Sequence, residues 1–141
     1  MKKTITSITT ALLMIISLSG FAANTLNPLK NLDTKAILTT YVEATTLGTD
    51  TYNKYLLTDD FEYKNTANND KFNKRQYLKF LKETKGLKFD AVTNYEILDQ
   101  CGNTCIAKAT TKFQNFSRVD FITLSSTNDG WKVSKVVTTY P

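Results

Sequence analysis

The sequence predicts an α+β domain, with about three N-terminal helices packed on one face of a curved antiparallel sheet. Two observations predict it. Up to Gly86, apolar residues recur at helical spacing in three separate stretches. From Phe89 onward the period changes from 3.6 to 2, β-branched residues dominate (Thr110, Thr111, Thr123, Val133, Val136, Val137), and Gly102-Asn103 and Asn128-Asp129-Gly130 supply turns. A length of 141 residues allows one domain, and 41% apolar with 11% aromatic residues suffices for its core.

The elements follow in order. Lys2 and Lys3 precede the apolar run Ala11–Leu18, and small residues stand at Gly20, Ala22 and Ala23. This is the pattern of a secretory signal peptide over residues 1–22, cleaved after Ala22 and short of the roughly 20 apolar residues a spanning helix needs. The expected protein is therefore exported, to a bacterial periplasm or beyond, with no stable membrane insertion after processing. Residues 23–32, with Pro28, read as a flexible leader, and residues 33–141 as the folded domain. Asp33 or Thr34 caps a first helix through Ile37, Leu38, Tyr41 and Val42, which ends before Gly48. Asp50 opens a short helical segment with Tyr55, Leu56 and Leu57. Asp60–Lys64 alternates polar and aromatic residues as a strand does, and Thr66–Asp70 is a loop. Asn73 caps a third helix, Lys74–Thr84, with Tyr77, Leu78, Phe80 and Leu81 on one side. Four strands follow: Ala91–Gln100, Thr104–Phe113, Arg118–Ser125 and Trp131–Tyr140.

Composition excludes several chemistries. The chain has no His, so Ser-His-Asp and Cys-His catalysis, His metal sites and a His base are all absent. It carries no phosphate-binding glycine loop and no metal-ligand cluster, so neither a cofactor nor a metal is expected. Without Lys2 and Lys3, sixteen basic residues face thirteen acidic ones, a net +3. The densest basic stretch, Lys71–Lys88, holds seven such residues along a helix and its exit. That reads as a solvated face, and nucleic-acid binding is not expected.

Two constellations carry chemical interest. Cys101 and Cys105 flank Gly102-Asn103-Thr104; across a three-residue loop they face each other at a separation suited to a disulfide, and export supplies the oxidising compartment. A two-residue Gly-Asn turn instead shifts the register and removes the pairing. Asp120, between Val119 and Phe121, is the sharpest candidate for proton transfer, since a carboxylate inside an apolar pocket acquires a raised pKa. The competing arrangement puts Val119 and Phe121 inward and Asp120 outward beside Arg118. Asp60, before Phe61, is a second carboxylate candidate.

The first-helix segment Ile37-Leu38-Thr39-Thr40-Tyr41-Val42-Glu43-Ala44 resembles the NTF2-like superfamily. So do Leu57-Thr58-Asp59-Asp60-Phe61 and the closing pair Arg118-Val119-Asp120-Phe121-Ile122-Thr123-Leu124 and Asp129-Gly130-Trp131-Lys132-Val133. The likeness spans roughly residues 33–139 and is nearest the superfamily's exported lumazine-binding/SnoaL-like branch. It implies a cone whose open end holds a pocket, lined here by Tyr41, Phe61, Tyr77, Tyr95, Phe113, Phe121 and Trp131, with Phe80 a further candidate for the lining. It also implies a homodimer formed through the sheet. Catalytic relatives combine an Asp with a His or a Tyr; only a Tyr (Tyr41, Tyr63, Tyr77 or Tyr95) is available here. The expected function is therefore binding of a small apolar or aromatic molecule without catalysis. The alternatives are a SnoaL-like isomerase or cyclase using an Asp/Tyr pair, and a dimeric scaffold with a filled cone.

Overall fold

The computed structural model describes residues 26–141, so the signal segment lies outside the described residues. Helix α1 (Thr34–Thr46) starts where the Asp33 side chain accepts from the Ala36 N–H at 2.8 Å, and buries Ile37, Leu38, Tyr41, Val42 and Ala44. A single helical turn, α2 (Asn53–Leu56), leads directly into β1 (Leu57–Asn65). The short β2 (Lys71–Asn73) runs straight into α3 (Lys74–Glu83), which a reciprocal capping box between Asn73 and Gln76 fixes at its start. The helical layer is thus two helices and one turn, not three comparable helices. The long strands β3 (Val92–Cys101), β4 (Thr104–Lys112), β5 (Ser117–Thr127) and β6 (Gly130–Thr139) complete the chain.

The six strands form one sheet in the order β2-β1-β6-β5-β4-β3. The sheet is mixed, because β1 pairs with β6 in parallel while every other pair is antiparallel. The reason is topological. The four-strand meander enters antiparallel to β1, so its fourth strand returns parallel to it. Breaks in register at Leu57/Glu62, Ile97/Asp99 and Thr123/Leu124 bend the strands, as bulges do. Helix α1 lies over β4 and β6, and α3 over β1 and β2. Beneath α1 the inward residues of β4 are the small Cys105, Ala107 and Ala109, which allow the helix to approach closely.

The described part of the segment expected to be a flexible leader, residues 26–32, is docked. Leu29 is in the core, and Asn27 Nδ2 donates to the Asp129 carbonyl at 2.9 Å. The disulfide is also corrected. Gly102-Asn103 is a two-residue turn, so Cys101 pairs with Thr104 and Cys105 with Gln100. Successive strand residues alternate faces, which leaves Cys105 buried and Cys101 exposed, both as free thiols.

Candidate functional site

The inward face of the sheet changes character along its strands. At one end it is apolar, with Leu124, Val133 and Ile122 wholly buried. At the other end, β5 carries Arg118 and Asp120 inward, β4 carries Thr111 and β6 carries Thr138, all largely removed from solvent. Parity within β5 dictates this. Ile122 and Leu124 belong in the core, so Asp120 and Arg118, at the same parity, point the same way. The arrangement with Phe121 inward is thereby reversed: Phe121 is 40% exposed on the opposite face.

A cavity of about 260 Å³ opens at this polar end. At its floor Arg118 Nε donates to Asp120 Oδ2 at 3.0 Å, with the two side chains 18% and 8% exposed. Thr138 Oγ1 donates to Asp120 Oδ1. Burial is the largest single influence on the Arg118 pKa and lowers it, but the Asp120 carboxylate together with Tyr41, Tyr77 and Tyr140 outweighs it and leaves the guanidinium above its ordinary value. Tyr77 from α3 forms one wall. Its hydroxyl shares a 2.7 Å hydrogen bond with that of Tyr41, which stands behind it in the core. Burial pushes both phenols well above their ordinary pKa, and Asp120 adds to the rise. Both are therefore neutral hydrogen-bonding groups across the physiological range.

The aromatic walls are built by stacking. Tyr63 lies 5.1 Å from Tyr77 and 5.5 Å from Phe72, ring centre to ring centre. Phe80 packs on Tyr77 at 5.8 Å. Phe89 and Tyr140 also line the cavity. A shallower groove of about 470 Å³ runs outside β1 and β2, sharing Tyr63 and Phe72, but its charged groups are surface Lys64, Lys71, Lys135 and Glu62.

Of the residues weighed for the pocket, Tyr77 and Phe80 line the cavity, together with the carboxylate candidate Asp120. Tyr41 supports Tyr77 from behind, and buried Phe61 packs against it at 5.0 Å. Phe113 stands one ring behind the rim, stacked on Phe116 at 4.5 Å and edge-on to Phe89. Tyr95 lies away on β3, its hydroxyl 2.9 Å from Thr39 on α1. Trp131 packs at the apolar end, seven residues along β6 from Thr138, or roughly 23 Å at the usual strand rise. Asp60 is exposed on β1 and takes no part. Arg118, Thr138, Phe72, Phe89 and Tyr140 complete the cavity without having been singled out as lining. For Arg118 and Thr138 the available signal was strand parity with Ile122 and Val136.

No protein-family model matches the sequence, and no curated protein matches it. Solved structures do match in shape. An NTF2-like protein from Cytophaga hutchinsonii superimposes with a TM-score of 0.62 at 14% identity, covering 76% of this chain and 94% of that one. A protein of unknown function from the DUF3225 family of Pectobacterium atrosepticum gives 0.64 at 14% identity, over 77% and 88%. A protein named "putative ketosteroid isomerase" from Parabacteroides distasonis gives 0.57 at 13% identity, over 82% and 93%. The chain has the NTF2-like fold.

Proposed function

We propose that this NTF2-like fold serves an exported bacterial protein that binds a small aromatic molecule in the cavity at its polar end, without transforming it. The observation that carries the reading is the cavity itself. Stacked rings wall it, a desolvated ion pair forms its floor, and the surrounding side chains leave about 260 Å³ unfilled. Export rests on the signal pattern of residues 1–22, and a homodimer through the sheet rests on exposed Phe121 and Ile106 on its outer face.

Tyr77 and Asp120 in one cavity also favour an isomerase or cyclase reading, since a phenol donor and a carboxylate are what carbonyl-adjacent proton transfer uses. The hydrogen bonding weighs against it. Both Asp120 oxygens already accept a hydrogen bond, so a ligand proton would have to be taken by a remaining lone pair held beside the Arg118 guanidinium.

Native mass spectrometry of the unreduced protein recovered from a bacterial periplasm tests the reading. The expected species is a dimer carrying additional small-molecule mass. A bare dimer that also takes up no aromatic probe would overturn binding in favour of a scaffold, and a concentration-independent monomer would remove the dimer.

A further inference from the structure

We propose that the occupant of this cavity is a single-ring aromatic carboxylate, its carboxylate held by the two terminal nitrogens of Arg118; the inference rests on the binding reading above. A guanidinium carries five N–H donors in a rigid planar fork. In Arg118 the Nε–H is spent on Asp120, and neither Nη makes a hydrogen bond among the described residues. Four donors on a largely buried cation that lines a cavity are thus left for an occupant or for solvent.

The rest of the cavity narrows the chemistry. Its buried carboxylate, Asp120, already accepts one hydrogen bond at each oxygen. The Tyr41–Tyr77 pair shares one hydrogen bond between two hydroxyls, so one phenolic proton is left over. Asp70 lies at the rim, exposed, and accepts from Asn68 at 2.6 Å. The floor therefore offers donors in excess of acceptors, and a complementary ligand presents acceptors. A carboxylate matches the fork with two parallel bonds, whereas a single carbonyl oxygen leaves half of it unpaired. Sharing one guanidinium between Asp120 at Nε and a ligand at the Nη edge places the two carboxylates on different sides of the fork.

Size and shape supply the ring. About 260 Å³ falls just below the range typical of drug-sized ligands, which favours a small ring compound over large polycycles and long chains. Tyr63 and Phe72, stacked on each other 12° from parallel, give the cavity with Tyr77 and Phe80 an aromatic lining suited to a planar ring.

Calorimetric titration of the mature protein with benzoate and with benzamide, its neutral counterpart, decides the matter. Benzoate is expected to bind at least tenfold more tightly. Arg118→Lys keeps a cation beside Asp120 but loses the fork, and is expected to weaken benzoate at least tenfold while retaining the wild-type circular dichroism spectrum. Equal affinity for the two probes overturns the carboxylate assignment and leaves the aromatic pocket standing. Binding of neither overturns the pocket reading itself. Because the comparison of probes needs only the unaltered protein, it stands even if the lysine variant does not fold.

Discussion

Thr58 buries its hydroxyl in β1 with no hydrogen-bond partner among the described residues. It sits where the pairing of β1 with β6 breaks between Leu57 and Glu62, so the backbone irregularity brings no acceptor within reach. A buried hydroxyl left unpaired costs about 1–3 kcal/mol, and Val has the same branched shape and suits a strand. Thr58→Val is expected to raise the free energy of urea unfolding by about 1 kcal/mol. No gain, or a loss, would mean the hydroxyl is satisfied in solution. At this same scale the sequence was legible as composition but ambiguous as orientation. Around Asp120 the immediate neighbours Val119 and Phe121 suggest one parity, while Ile122 and Leu124 further along enforce the other. Local alternation spans too few residues to decide; the core residues at 122 and 124 decide it because their burial is worth more than that of one exposed phenylalanine. Cys101 and Cys105 failed for a related reason, since one residue of turn length separates facing thiols from thiols on opposite faces.

Elements were more legible than residues. α1, α3 and the four long strands fall within a few residues of where periodicity and caps put them, because all but the exposed β3 carry a long apolar face, and β3 is marked by the Gly102-Asn103 turn at its end. β2 escaped, since three residues joined directly to a helix cap leave no alternation to read. The parallel pairing of β1 with β6 escaped too, being a property of the path between elements. How α1 and α3 are held together gives an element-scale prediction. Gly48, just beyond α1, has φ +65°, and its carbonyl accepts from the Gly86 N–H at 3.0 Å. A Cβ at Gly48 would lie 2.6 Å from the Gly86 nitrogen and 2.8 Å from the Thr84 oxygen, both backbone atoms that cannot rotate away. Gly86, past α3, has a similar φ of +76° but open space around it. Gly86→Ala should therefore cost only the left-handed penalty of about 1–2 kcal/mol. Gly48→Ala should cost at least about 1 kcal/mol more, as the two helix ends are forced apart. Equal losses in chemical denaturation would show that the close approach contributes nothing.

Across the whole molecule, one sheet face serves two purposes, an apolar floor under the helices and a polar, ring-walled opening beyond them. The stability of the fold is tied to that opening through its phenols. Tyr41 and Tyr77 have ordinary pKa values of 10.0 when exposed, and burial raises both in the folded protein. Below pH 10 both folded and unfolded chains keep these protons, and the two residues make no pH-dependent contribution. Above it the unfolded chain releases them while the folded chain retains them. The unfolded state is then favoured by about 1.4 kcal/mol per pH unit for each tyrosine, until the folded pKa is reached. Stability should consequently fall steeply as pH rises from about 10. Lysines lose charge in the same range, so a comparison isolates the phenols. Tyr41→Phe removes one buried phenol and leaves Tyr77 desolvated, and its alkaline slope in urea unfolding should be shallower than that of the wild type by about 1.4 kcal/mol per pH unit. Parallel slopes would mean that the Tyr41 hydroxyl titrates as readily in the folded protein as in the unfolded chain. The cavity floor would then be wet, and the desolvated ion pair on which binding rests would lose its main support.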